Sequence, residues 1–492
     1  MDKSTSPGRP DAGGRREPMS KVDTAWLRME RRSNPMMITG VLMFAERLSL
    51  DALRELIDER FLAYARFRQR PVQTASAAVW ETDEALDLEW HVQPASLPGR
   101  GGKQALERFV SRLASTALDP QRPRWQFHLI EDYRGGSALV ARIHHCYADG
   151  MALVQVLLSL TDTRRHPRRG DGLPHTWLKQ EHADVARRVG AVDRYVRLGG
   201  KIGGKMVEKG LEMYRDPTLA AVLAREGGEI ARELLTALAL SDDPPSLLRG
   251  ALGPRKRVAW AEPLDLEEVK AVGRACGCTV NDVLMAVAAG ALRHYMVERG
   301  DPVDGLTLRA TVPVNLRPLE HARKLGNHFG LVFLDLPVGE ANPVRRVERV
   351  ASCMESLKNS KQAIVAYGLL ATLGVAPAGV QTVALEMLSR KASTVATNVP
   401  GPQQTLYLAG AALDQMMFWV PQTGSIGVGI SILSYNGRVH FGLIADGKLI
   451  PDPGDVICHF GEEFDKLLYL ALMGDWDTPL DASAAQALLI EG

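Results

Sequence analysis

Two histidines, an aspartate and a glycine fall within one short run, His144-His145-Cys146-Tyr147-Ala148-Asp149-Gly150. A neutral imidazole can accept a proton near pH 7, so a histidine held at the end of a buried element is a candidate general base. An apolar run, 137–143, precedes the histidines, and an uninterrupted apolar segment, 151–160, follows the glycine. Strand, tight turn and helix are predicted. Neighbouring residues on a strand point to opposite faces, so only one histidine can face a common site. The same divergence argues against a metal hydrolase that chelates one ion with His144, His145 and Asp149. The spacing to Asp149 favours His145 as the base. Asp149 suits a structural anchor, capping the next helix or pairing with an arginine, and Gly150 lets the chain pass close beside the site. Cys146 lies in apolar surroundings without an obvious activating partner, which argues against a thiol nucleophile.

The elements needed to hold such a turn are legible around it. Pro123-Arg124-Trp125-Gln126-Phe127 begins an alternating strand, 123–130, and a polar turn at 131–136 feeds the histidine strand, so a hairpin is expected. Pro123 and Trp125, on the paired strand, are expected to shape a substrate channel. Upstream, Ser20 or Asp23 can cap a first helix, 37–44 reads as a strand, and a helix follows Ser49. Residues 66–71 read as a solvated turn and 87–92 as a short strand. A second amphipathic helix carries Leu106, Phe109, Val110 and Leu113. Arg164, Arg165, Arg168 and Arg169 form a basic cluster, read as solvated surface with a phosphate contact as the alternative.

Residues 173–254 are polar, helical in pattern and interrupted by glycine, and are expected to form a helical crossover between two lobes. The second lobe, 255–492, starts with a strand at 258–260 and a helix at 264–275. A longer helix follows, for which Thr279 or Asn281 can serve as cap. Strands are expected at 308–313, 328–336, 394–400, 427–433 and 439–444, the last two joined at Asn436-Gly437, a strong hairpin signal. Strands and helices do not alternate regularly, so a doubly wound sheet is not supported.

Composition sets further bounds. Hydrophobic residues make up 46% and charged residues 24%, a globular balance, and the formal net charge of +1 gives no electrostatic case for nucleic acid as a partner. Five cysteines without a C-x-x-C pair argue against a disulfide framework and fit a reducing cytoplasm. Residues 1–18 are rich in Gly, Pro, Ser and charge and are expected to be disordered, with no signal peptide. The uncharged segment 362–385 is long enough to span a bilayer, but Gly374, Pro377 and Gly379 interrupt it, so a buried or interfacial helix pair is expected.

The run His144-His145-x-x-x-Asp149-Gly150 resembles the HHxxxDG motif of CoA-dependent acyltransferases. Further matches in order along the chain resemble the bacterial wax ester synthase/diacylglycerol acyltransferase family over roughly residues 19–475. They are the 20–30 opening, Phe67-Arg68-Gln69-Arg70, 87–92, Asn281-Asp282-Val283-Leu284, Val312-Pro313-Val314-Asn315-Leu316-Arg317, Gly326-Asn327 and Asn398-Val399-Pro400-Gly401-Pro402. Two departures stand out: the family's Pro-Leu-Trp is Pro123-Arg124-Trp125 here, and Met37 replaces a histidine usual after Met36.

The resemblance implies an α/β fold of two chloramphenicol acetyltransferase-like sandwich lobes, with 19–172 as the first. The reaction centre would lie in a tunnel between them. It implies transfer of a fatty acyl group from acyl-CoA, as co-substrate and with no cofactor, to a long-chain alcohol or diacylglycerol, giving wax ester or triacylglycerol. His145 is then the base with His144 and Asp149 beside it. Gly150, Asn281, Asp282, Pro123, Trp125 and Asn398 are the expected substrate-binding residues. Asn281 and Asn398 could orient substrate or stabilise an oxyanion, or serve instead as cap and turn residues. The expected setting is cytoplasmic, at the surface of the inner membrane or of lipid inclusions. Alternatives are another lipid or polyketide alcohol as acceptor, or a non-catalytic acyl-CoA or lipid-binding protein.

Overall fold

The computed structural model describes residues 16–73, 78–99, 101–166, 240–316, 325–358, 360, 362–373, 378–474 and 479–491. The first half opens with strand β1 (Arg16–Pro18) and helix α1 (Lys21–Met29), then β2 (Met37–Phe44) and α2 (Leu50–Leu56), which runs on through one π-helical turn. Next come β3 (Gln69–Gln73), β4 (Ala78–Thr82), α3 (Leu88–His91), β5 (Val92–Ala95) and α4 (Lys103–Ala114). The hairpin β6 (Trp125–Tyr133) and β7 (Gly136–His144) leads into α5 (Gly150–Ser159). Arg134 and Gly135 turn that hairpin with positive φ (52° and 86°).

The second half contains β8 (Lys256–Trp260), β9 (Leu264–Asp265), α6 (Leu266–Ala275), α7 (Val280–Glu298), β10 (Leu308–Asn315) and β11 (Phe329–Leu336). It continues with α8 (Pro343–Lys358), α9 (Gln362–Leu373), α10 (Ala378–Ser389) and β12 (Thr394–Pro400). The last elements are β13 (Tyr407–Leu408), β14 (Ala411–Trp419), β15 (Val428–Tyr435), β16 (Arg438–Asp446), α11 (Pro453–Met473) and α12 (Ala482–Glu491).

Two mixed sheets organise the lobes. The six-stranded sheet has the order β13-β14-β2-β7-β6-β5, and the seven-stranded sheet runs β11-β10-β12-β15-β16-β8 with β9 on β16. Most pairs are antiparallel, while β5–β6, β10–β12 and β12–β15 are parallel, so the two-lobed α/β sandwich replaces a doubly wound sheet. The segment 407–419, second-half in sequence, is first-lobe in space: Met416, Met417 and Phe418 sit opposite Leu42, Val41 and Gly40 of β2. A cut of the chain near residue 255 therefore does not follow the boundary between the sheets. A core of Val41, Phe109, Val140, Trp260, Trp419 and Ile444 joins the halves.

Several local expectations change. Residues 87–92 form a helical turn before the strand, because Asp87 Oδ1 accepts from Trp90 N at 3.1 Å and closes it. Residues 66–71 are not a solvated turn: Phe67 and Gln69 are buried and β3 starts at Gln69. Of the N-terminal stretch 1–18 expected to lack structure, 1–15 lies outside the described residues, and 16–18 is a strand paired with β4. Of the expected helical crossover, 173–239 lies outside the described residues, as does 167–172 before it, and 240–254, rich in Pro and Gly, is turns and irregular chain. Arg168 and Arg169 also lie outside, while Arg165 pairs with Glu46. The stretch 362–385 is divided between α9 and α10. Among the described residues no single helix is long and apolar enough to cross a membrane.

Candidate active site

The end of β7 is fixed from both sides before its histidines begin. His144 N donates to Arg124 O at 2.9 Å, and His145 N donates to Met36 O at 2.7 Å. Met37, at the position where the family has histidine, lies directly across from His144 on β2. The turn ends at Asp149, whose Oδ1 accepts from Ala152 N at 2.8 Å and caps α5. Its Oδ2 accepts from His328 N in the second lobe at 3.1 Å. Asp149 is thus an anchor joining the helix start to the facing lobe.

His145 enters a cavity of about 830 Å³ between the lobes. Trp26, Ile38, Asp149, Gly150 and Val154 line it from the first half, and Asn281, Leu284, Asn315, Phe329 and Asn398 are among those facing them from the second. The imidazole stacks on Trp26 with ring centroids 4.1 Å apart, and Phe329 lies 5.7 Å away. Its Nδ1 is enclosed without a hydrogen-bond partner, which leaves Nε2 as the nitrogen on the cavity side. Burial pulls the imidazole pKa down to about 4, against the opposing pull of Asp149, its own carbonyl and Asn327. His145 is therefore neutral near pH 7, with a ring nitrogen free to accept a proton.

His144 goes the other way. It is fully buried, its Nδ1 accepts from Cys146 N at 3.1 Å, and its Nε2 lies 3.7 Å from Glu30 Oε2. Burial lowers its pKa and Glu30 opposes that shift. The two histidines thus serve different surroundings, and among the described residues no three His, Cys, Asp or Glu side chains are grouped to hold a metal ion. Burial raises the Cys146 thiol well above its usual range, so it stays protonated and inert.

The two asparagines meet. Asn398 Nδ2 donates to Asn281 Oδ1 at 2.7 Å, and both residues line the cavity. Thr279 takes the cap of α7, which leaves the Asn281 side chain for the cavity. Gly150 also lines it, and an added Cβ there would come within 3.3 Å of Val420 Cγ1.

Three expected substrate contacts lie elsewhere. Asp282 is buried and closes the capping box with Thr279 through its N–H and hydroxyl. Pro123 and Trp125 do not line the cavity. Trp125 is fully buried in the first lobe's core, stacked on His91 at 4.0 Å, and its Nε1 donates to Phe67 O. Strand alternation points it at that core rather than between the lobes.

Sequence reasoning missed Trp26, Phe329 and the pair Asp23–Asn327 as site residues. Asn327 donates to Asp23 Oδ1 through both N (3.1 Å) and Nδ2 (2.8 Å), and its Nδ2 also reaches His145 O at 2.9 Å. The Gly326-Asn327 dipeptide and the 20–30 opening were visible as matches, but nothing in either indicated that they meet.

Comparison with known proteins finds matches over most of the chain. Residues 19–284 match the wax ester synthase/diacylglycerol acyltransferase catalytic domain, and 325–468 match the WS/DGAT C-terminal domain. A putative diacylglycerol O-acyltransferase of Mycobacterium tuberculosis strain CDC 1551 is 27% identical over 478 residues, covering 92% of this chain and 90% of the relative. A probable diacylglycerol O-acyltransferase of strain H37Rv is 28% identical over 459 residues, covering 90% and 96%. Among solved structures, the wax ester synthase/diacylglycerol acyltransferase from Marinobacter aquaeolei VT8 superposes with a TM-score of 0.65 at 24% identity, over 92% of this chain and all of the other. The first condensation domain of the calcium-dependent antibiotic synthetase superposes at 0.56 and 16% identity over 93% and 96%. Both share the fold.

Proposed function

The chain belongs to the wax ester synthase/diacylglycerol acyltransferase family and is an acyltransferase, and from that premise we propose that it esterifies a long-chain alcohol or diacylglycerol with the acyl group of acyl-CoA, using His145 as general base. The observation that carries this reading is a neutral imidazole at the wall of a largely apolar interlobe cavity, with two hydrogen-bonded asparagines lining the same space.

An alcohol is a poor nucleophile at neutral pH. His145 Nε2 takes the hydroxyl proton as the oxygen forms its bond to the thioester carbon. Negative charge then develops on the thioester oxygen. The Asn398 bond uses Asn281 Oδ1 as an acceptor, which leaves the Asn281 amide N–H groups as donors for that charge. Collapse of the tetrahedral intermediate breaks the carbon–sulfur bond, and the departing thiolate takes the proton from the imidazolium as CoA-SH. Ester and free CoA are the products, and His145 returns to its neutral form. The step calls for no cofactor beyond acyl-CoA as co-substrate. The apolar cavity wall suits an alkyl chain, and a site for apolar substrates supports a setting at a cytoplasmic membrane or lipid-inclusion surface, from which carbonate washing should release the enzyme.

The test is a paired substitution under saturating acyl-CoA and alcohol. His145→Ala should lose roughly 10²–10⁴-fold in kcat, the usual loss on removal of a general base, with little change in acyl-CoA binding. His144→Ala should show a smaller effect that follows stability. Near-wild-type turnover in His145→Ala would refute the assignment. Labelled palmitoyl-CoA offered with both hexadecanol and diacylglycerol identifies the ester made.

A further inference from the structure

We propose that Asn327 is the positioning residue of the His145 imidazole, reaching it from the opposite lobe and itself held by Asp23. This rests on the reading of His145 as the base.

The contacts around Asn327 fix its amide in one orientation. Its side chain is buried, and its two Nδ2 hydrogens go to Asp23 Oδ1 and His145 O. Oδ1 must then occupy the other side of the amide. That oxygen is buried without a hydrogen-bond partner, and so is His145 Nδ1. Buried polar atoms are nearly always paired in folded proteins, so two complementary orphans on a pair of touching residues call for an explanation. Catalysis supplies one. For Nε2 to accept a proton, Nδ1 must carry the hydrogen of the neutral ring, and after transfer the imidazolium has N–H on both nitrogens. Two groups favour the charged ring: the carbonyl of His145, which Asn327 Nδ2 holds in place, and the Asn327 side chain itself. Asn327 thus fills, without a charge, the orienting role that a carboxylate fills beside the histidine of a serine-protease triad.

The loop bearing Asn327 is fastened to the catalytic turn at several points. Gly326 N donates to Tyr147 O at 3.1 Å, Asp149 N donates to Gly326 O at 3.4 Å, and His328 N donates to Asp149 Oδ2 at 3.1 Å. Gly326 has φ +110°, a backbone that side-chain-bearing residues rarely adopt, and this sharp turn delivers Asn327. Asp23 completes the clamp from α1. The base is therefore assembled from three separate stretches of chain, and it is complete only with the two lobes together.

The charged or titratable groups bearing on His145 are Asp149 on its own turn, His144 beside it, and Asp23 through Asn327, while Trp26 and Phe329 close the ring with aromatic faces. An acceptor for Nδ1–H favours the protonated ring, so its loss lowers the apparent pKa of the base and moves the acid limb of the pH–rate profile to lower pH. Full-length Asn327→Ala, Asp23→Asn and the double variant are compared with wild type and His145→Ala for kcat, KM for palmitoyl-CoA, the pH–rate profile and Tm. Asn327→Ala should lose about 10–100-fold in kcat, the scale seen when partners that orient metal-bound histidines are removed. KM should stay near wild type and the acid limb should move down. Asp23→Asn keeps an acceptor and should show the same changes more weakly. The double variant should be little worse than Asn327→Ala, because the two residues act as one unit. An inactive His145→Ala alongside a folded Asn327→Ala with unchanged kcat and acid limb overturns this inference and leaves the base assignment standing. So does a loss of kcat that tracks Tm alone with the limb unmoved. An active His145→Ala removes the base assignment and the inference together.

Discussion

Arg124 Nη1 donates to Glu30 Oε2 at 2.8 Å, and the same carboxylate oxygen lies 3.7 Å from His144 Nε2. Arg124 occupies the position where the family has leucine, so this chain places a cation beneath the histidine strand and answers it with the residue that ends α1. Burial raises the Glu30 carboxyl pKa, but His144 and Arg124 more than offset it and hold it below its usual range. The side chains are only 12% and 24% exposed, so solvent screens the pair weakly.

Arg124→Leu should therefore strand a partly buried carboxylate against a neutral imidazole. A loss of about 1–3 kcal/mol in folding stability is expected, the scale of an unsatisfied buried polar group. Glu30→Gln in the same chain should recover most of it. Turnover per folded molecule should stay near wild type, since His144 does not enter the cavity. Urea unfolding of the single and double variants measures this, and an unchanged midpoint in Arg124→Leu would show that the pair contributes nothing.

The Asn281–Asn398 bond joins residues 117 positions apart, on α7 and β12. If the bond aims one amide at the developing oxyanion, the two residues act as one donor. Asn281→Ala and Asn398→Ala should each reduce kcat, the former by about 10²–10³-fold, as expected for removal of an oxyanion donor. The double variant should be no worse than the more severe single one. Fully multiplicative losses would mean that the residues work independently.

Much of this site was legible because its chemistry is local. His145, Asp149 and Gly150 lie on one strand-turn-helix, and patterning alone shows that unit. Asn281 and Asn398 were marked as candidates, but their bond depends on how α7 meets β12. The Asp23–Asn327 clamp spans 304 residues, and no local pattern announces it. Strand β14 was not read at all: its sequence, AALDQMMFW, has no β-branched residue, and its partner is β2 at the other end of the chain. Residues 88–91 are too few to show a helical period, so the cap at Asp87 was the only signal. Trp125 was read correctly as a strand residue and wrongly as a channel residue, because a sequence shows that a side chain is apolar without showing which of two apolar interiors it enters.

That distinction gives Trp125→Ala a definite outcome. The indole is fully buried, stacks on His91, meets Phe61 edge-on at 4.9 Å and donates to Phe67 O. Truncation should cost about 3–5 kcal/mol for the lost packing and cavity. Acyl-chain preference, measured as relative kcat/KM over a series of acyl-CoA lengths below the transition temperature, should not change. A shifted preference at wild-type stability would place the indole in the substrate path after all.

Acid should destabilise this protein at pH values above those at which it protonates the base. Burial holds His91, His128, His145 and His440 down at about 4, against an ordinary value of 6.5. Between those two values each ring is neutral in the folded protein and charged in the unfolded chain. The unfolded chain then binds more protons, and stability falls with pH by up to about 1.4 kcal/mol per unit for each ring. The loss should begin near pH 6.5 and level off near 4. Glu463 follows at lower pH: burial raises its pKa, but His294, Arg346 and Lys466 bring it down to about 2, so its contribution is complete above about 4.5 and disappears as pH falls toward 2. His459 has the opposite sign: burial lowers its pKa, but Glu462 and Glu298 outweigh that, so its contribution is complete below about 6.5 and is lost as pH rises above that value. Tm measured from pH 7.5 to 4 should decline steadily below 6.5. His440→Gln, which replaces one buried ring on β16 with a group that does not titrate, should make the decline shallower. Turnover per folded molecule at pH 5 should stay near its value at pH 7, since folded His145 is still neutral there. A flat Tm across this range would mean that these rings are solvated, and that the depressed pKa assigned to His145 is wrong with them.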